Sequence, residues 1–144
     1  MTPTSELLIT RVFDAPRELV FRCVTEPEHL THFWGPVGVR TPLDRIKVDL
    51  RPGGVFETVM VNEATGDEYP SRGVYTEITP PERIAWTDVD LGMTTTTTLI
   101  DLGDGRTEVR IHQTDVPEMV ATEESQAGFN SSLDRFEAYL TTVG

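Results

Sequence analysis

Cysteine occurs once, at Cys23, and lysine once, at Lys47. A lone thiol excludes an intramolecular disulfide and a multi-cysteine zinc knuckle, and it suits a reducing, cytosolic compartment. Basic charge is also scarce: 12 Lys plus Arg stand against 24 Asp plus Glu, for a net charge of -12. A field of that sign repels phosphate backbones and anionic lipid, which sets aside nucleic acid and membrane surfaces as partners. No apolar run approaches the roughly 18 residues of a membrane span. Residues 1–6 lack the basic-then-apolar pattern of a secretory leader, so the expected address is the cytoplasm. Phosphate loops, dinucleotide fingerprints and the Gly-x-Ser-x-Gly elbow are missing too, and no cofactor is expected.

What is present fits one domain over residues 1–144, a length that buries a sizeable core without staples. Residues 6–13 (ELLITRVF) read as a strand that runs into Asp14, Ala15 and Pro16, the chemistry of a helix start. A helix over about 16–24 and a short second one over about 27–33 follow, separated by Pro27. From Val39 to Thr114 the period becomes that of strands. Runs at about 39–49, 54–62, 68–78, 83–90, 93–102 and 106–114 are divided by Gly- and Pro-rich turns, which implies an antiparallel meander. Residues 117–141 return to helical spacing, with Phe129, Leu133, Phe136 and Leu140 on one stripe and Ser131, Asp134 and Arg135 on the polar side. The fold class is therefore α+β. About seven antiparallel strands curl around a long C-terminal helix, with two short helices after the first strand, because one apolar sheet face and one apolar stripe can bury each other.

A curved sheet of that width leaves space that one helix does not fill, and such gaps become small-molecule pockets. Strand alternation selects the inward sets: Phe56, Thr58 and Met60; Ile84, Trp86 and Asp88; Val109, Ile111 and Gln113. The helix turns Phe129, Leu133 and Phe136 toward them, and Tyr75 and Trp34 are added from the middle strand and the second helix end. Each of these aromatics and aliphatics reads equally as core, and their clustering is what favours a cavity. Asp88 is either an ionisable group against an apolar wall or a solvated residue at a fraying strand end. Thr94, Thr96 and Thr98 are assigned hydroxyls on the face shared with Ile100. His112, one step from Gln113, belongs on the opposite face. His29 and His32 are three apart but have no further ligand at metal-site spacing, so no metal is expected. Cys23 reads as a buried small hydrophobe and Arg51 as a turn residue.

The order of elements resembles the helix-grip superfamily of START and birch-pollen-allergen-like (SRPBCC) domains. More narrowly it resembles the branch named after the activator of heat-shock-protein-90 ATPase. The segments that carry the likeness are 11–21 (RVFDAPRELVF), 25–30 (TEPEHL), 33–36 (FWGP), 49–54 (DLRPGG), 73–78 (GVYTEI), 80–84 (PPERI), Gly105 with Thr107, and Gly128 with the helix after it. They span nearly the whole chain in order. The chain departs from the family pattern at Phe33 and Phe129, where the family favours tryptophan, and at Gln113, where it favours histidine.

The resemblance implies binding of a hydrophobic or amphipathic small molecule between sheet and long helix. It also implies two alternatives. One is a co-chaperone-like interaction module whose partner is a chaperone ATPase, which an acidic surface suits. The other is a cyclase-like or hydrolase-like enzyme using Asp88, Gln113 or Tyr75, for which no acid–base pair is positioned, so no catalytic residue is assigned. A homodimer through an exposed edge strand stays open.

Overall fold

A computed structural model describes residues 6–143. Strand β1 (Leu7–Phe13) leads into helices α1 (Arg17–Thr25) and α2 (Pro27–Leu30). Pro16 precedes the first helical residue, where its missing N–H costs nothing, and its carbonyl takes the amides of Leu19 and Val20. Strands β2 (Val39–Arg40), β3 (Lys47–Val48), β4 (Val55–Asn62), β5 (Glu68–Thr79), β6 (Arg83–Asp88), β7 (Thr94–Asp101) and β8 (Thr107–Thr114) precede the long helix α3 (Glu123–Val143). All pairings are antiparallel, in the order β1-β8-β7-β6-β5-β4-β2, with β3 also paired to β4. The element order read from the sequence is the one observed, and with α3 on its concave face the sheet forms a helix-grip fold.

Two segments differ from the expectation. The run 39–49 is not one strand: Pro42 and the 3-10 turn Leu43–Arg45 split it into two short pieces, which raises the strand count to eight. The last helix begins at Glu123 rather than near 117. Pro117 to Ala121 form turns, and the Thr122 hydroxyl caps the helix by accepting the Ser125 amide at 3.1 Å.

The core is built where the concave face meets α3. Phe13, Leu30, Ile84 and Leu99 are almost wholly buried, and Leu133, Phe136 and Leu140 supply the helix stripe. The Phe136 ring stacks on Phe33 at 4.3 Å and meets Phe13 at 5.0 Å. A bulge between Tyr75 and Glu77 shifts the alternation of β5, so Ile78 also packs on the core beyond it. Cys23 is fully buried, as expected, and burial pushes its thiol up to about 11, so it stays protonated at neutral pH.

Candidate functional site

The floor of the site is a set of inward positions held in register across four strands. Trp86 lies opposite Tyr75 and Thr95, and Thr95 lies opposite Gln113; one step further along, Ile84, Thr97 and Ile111 are aligned. The roof is α3, through Gly128, Phe129, Ser132, Leu133 and Phe136. One wall is the loop 33–36, and the mouth is formed by Met93, Met119, Val120 and the first turn of α3. Between them is a cavity of about 630 Å³.

The loop 31–39 is fastened to α3 by side chains of that helix. Arg135 donates to the carbonyls of Gly35 at 2.8 Å, Pro36 at 3.2 Å and Val39 at 3.2 Å, with His32 at 3.4 Å. The Ser132 hydroxyl donates to Phe33 O at 3.0 Å and accepts from the Gly35 amide, while Ser131 accepts from the Val37 amide. The Thr41 hydroxyl holds Trp34 O at 2.7 Å. Together these bonds set the position of the Trp34 indole.

Trp34, Met60, Trp86, Asp88, Ile111, Gln113, Phe129, Leu133 and Phe136 all border the cavity. Phe56 and Tyr75 stand differently. Their rings stack on each other at 5.6 Å, and Phe56 carries Trp34 and Trp86 edge-on at 5.2 Å each. The two indoles therefore cover the Phe56–Tyr75 pair, which forms a layer behind the cavity. Gly73 makes room for this: a Cβ there would lie 3.1 Å from Trp86 Cδ1.

Tyr75 is 1% exposed, and burial raises its phenol well above the usual range. Its hydroxyl has no bonding partner among the described residues. Tyr75→Phe removes that unmatched polar atom and is expected to raise Tm by a few degrees, for a gain of about 1 kcal/mol. A thermal melt checks it, and a fall in Tm would mean that the hydroxyl is bonded in solution.

Asp88 ends β6, and its Oδ1 accepts the amides of Asp90 and Leu91 at 2.9 Å each. Its Oδ2 has only a long contact to Ser71 Oγ, at 3.4 Å. Gln113 is buried and reaches Thr95 Oγ1 at 3.4 Å, whereas His112 is exposed on the other face, as alternation requires. The threonine run corrects the expectation by one residue. Thr95 and Thr97 face the cavity with Leu99 continuing the inner side, and Thr94 is bonded to Thr87 at 2.8 Å, away from the cavity. His29 and His32 are both engaged by Tyr139, the first by a 2.6 Å hydrogen bond and the second by ring stacking at 4.9 Å. Arg51 pairs with Asp49 at the turn.

Sequence reasoning missed Met93, Met119, Val120, Gln126, Ser132 and Arg135. One compositional signal was available. Both tryptophans and every methionine among the described residues lie at this cavity, and methionine is the residue that adapts to varied apolar shapes.

A small-molecule-sized cavity between a curved sheet and a long helix defines a helix-grip domain of ligand-binding type. The profile of the family described as activator of Hsp90 ATPase homolog 1-like protein matches residues 14–141, and the chain belongs to that family. It is similar to protein CV1439 from Chromobacterium violaceum, with 31% identity and a TM-score of 0.85, over 93% of this chain and 96% of that one. The AHSA1 protein from Silicibacter pomeroyi shares the fold at 24% identity and a TM-score of 0.81, over 97% of this chain and 100% of that one. So does an AHSA1-like protein from Aeromonas hydrophila, at 22% identity and 0.83, over 97% and 94%. No curated protein matches the chain. Among the described residues, no helix is long and apolar enough to cross a membrane.

Proposed function

We propose that this protein binds a hydrophobic or amphipathic small molecule in the cavity between the sheet and α3. The observation that carries the reading is a space of about 630 Å³ with aromatic and thioether walls, into which polar side chains of the sheet and of α3 are interspersed. A cleft of this size between the sheet and α3 falls in the range of small-molecule sites. The cytosol is its setting in this reading.

Trp34 and Trp86 are the chain's only tryptophans, so intrinsic emission reports directly on the cavity. Titration with alkyl-chain, sterol-like and polycyclic aromatic compounds is expected to change that emission and to raise Tm in proportion to ligand concentration. Mass spectrometry of organic extracts gives an independent readout of any molecule carried through purification. Leu133→Trp fills the space and Trp86→Ala removes a wall, and each is expected to weaken uptake by about tenfold or more. Unchanged uptake by both folded variants would refute the cavity reading.

The net charge of -12 supports a second reading, docking onto a basic groove of a chaperone ATPase. Stimulation of such an ATPase, suppressed by salt and indifferent to Leu133→Trp, would favour that reading over the first.

A further inference from the structure

We propose that the cavity selects its occupant by charge: it takes a cationic amphiphile, of which a primary amine on an apolar chain or ring is the simplest case, and disfavours carboxylates. This rests on the cavity reading above and narrows it to a ligand class.

The lining holds two carboxylates, Asp88 and Glu124, and among the described residues no arginine, lysine or histidine. Nearby cations are already committed. Arg135 spends its guanidinium on the carbonyls of Gly35, Pro36 and Val39, and Arg72 pairs with Asp90 at 3.2 Å. A carboxylate entering the cavity would give up its hydration and meet like charge with no counter-ion, the least favourable way to bury an anion.

An ammonium group meets the opposite situation. Asp88 Oδ1 is held by two backbone amides, which fixes the carboxylate in place, while Oδ2 keeps accepting capacity beyond its 3.4 Å contact with Ser71. Asp88 is paired with Gly73 across the strands, so the residue directly opposite adds no side chain, and Ser71 is the β5 side chain in contact with it. Beside it on the same face is Trp86, with Trp34 6.1 Å away and tilted by 55°. Indole faces attract cations, and they do so more strongly where water is excluded. Thr95, Thr97 and Gln113 add neutral oxygens that can accept from an ammonium. The surplus of acidic residues over the whole chain raises the local concentration of cations around it in the same sense.

The test uses decylamine, decanol and decanoate, three probes with one alkyl chain and different heads, titrated at pH 7 in 0.15 M salt with tryptophan emission as the readout. The amine is expected to bind at least tenfold more tightly than the carboxylate, with the alcohol between them. Asp88→Asn keeps the oxygen that holds the Asp90 and Leu91 amides and removes the charge. It should cut the preference for amine over alcohol several-fold and leave alcohol binding unchanged. Glu137→Gln makes the same change in net charge at an exposed position of α3 and should change neither. Carboxylate binding as tight as amine binding, or an amine preference that survives Asp88→Asn, overturns the proposal while leaving the cavity reading in place. Failure of all three probes to bind overturns both.

Discussion

Gly54→Ala is expected to lower stability by about 3 kcal/mol and Tm by about 10 °C. A Cβ at Gly54 would overlap the carbonyl oxygen of Asp49 and touch that of Arg51, both backbone atoms that no rotamer change can move. The surroundings resist displacement as well. The turn 49–54 is closed by the bonds Gly54 N to Arg51 O and Asp49 N to Val55 O. It is also stitched to β5 through Gly53 N to Tyr75 O and Tyr75 N to Gly54 O. Moving it therefore disturbs the Phe56–Tyr75 layer that supports the indoles. The neighbouring Gly53→Ala is the control. Gly53 has φ +84 but open space around it, so only the cost of a left-handed alanine, about 1 kcal/mol, is expected there. Thermal and urea melts of both variants decide the matter, and equal losses would mean that the close approach to Asp49 carries no energy.

Arg135→Ala is expected to cost about 2 kcal/mol, or roughly 6 °C in Tm, and to loosen the wall of the cavity. Its guanidinium bonds converge on carbonyls of a loop that has little regular structure of its own. Water can replace some of these bonds, which keeps the loss below the sum of charged hydrogen bonds. Water cannot restore the tie between the loop and α3. Because Trp34 sits in that loop, its emission should shift to the red and ligand affinity should fall along with Tm. Arg135→Lys is expected to recover only part of the loss, since one ammonium cannot span carbonyls that a planar fork reaches together. Wild-type emission and melting of the alanine variant would show that Ser131 and Ser132 suffice to hold the loop.

Much of this architecture was legible in the residues. A sheet with one buried face must alternate, so Phe56, Thr58 and Met60, then Ile84, Trp86 and Asp88, then Val109, Ile111 and Gln113, declared their side without reference to any partner. The stripe of Leu133, Phe136 and Leu140 did the same for α3. The threonine run was ambiguous for a definite reason: Leu99 and Ile100 are both apolar, so either phase gives an inward hydrophobe. Pairing of Thr95 between Trp86 and Gln113 removed the ambiguity. Arg135 looked like part of a solvated helix face because nothing local to α3 announces the loop carbonyls some hundred residues earlier in the chain.

Element order, the helix stripe and the faces of every strand with a single apolar phase are thus properties of the sequence alone, since they follow from periods of 2 and 3.6 residues in how apolar side chains recur. The tertiary structure alone decided that Phe56 and Tyr75 form the layer behind the indoles, that Asp88 borders the cavity with one oxygen held by two backbone amides and the other only in long contact with Ser71, and that Met93 and Met119 line it. Those outcomes depend on which surfaces meet and at what distance. A periodic pattern records which side a residue faces, but not what stands opposite it.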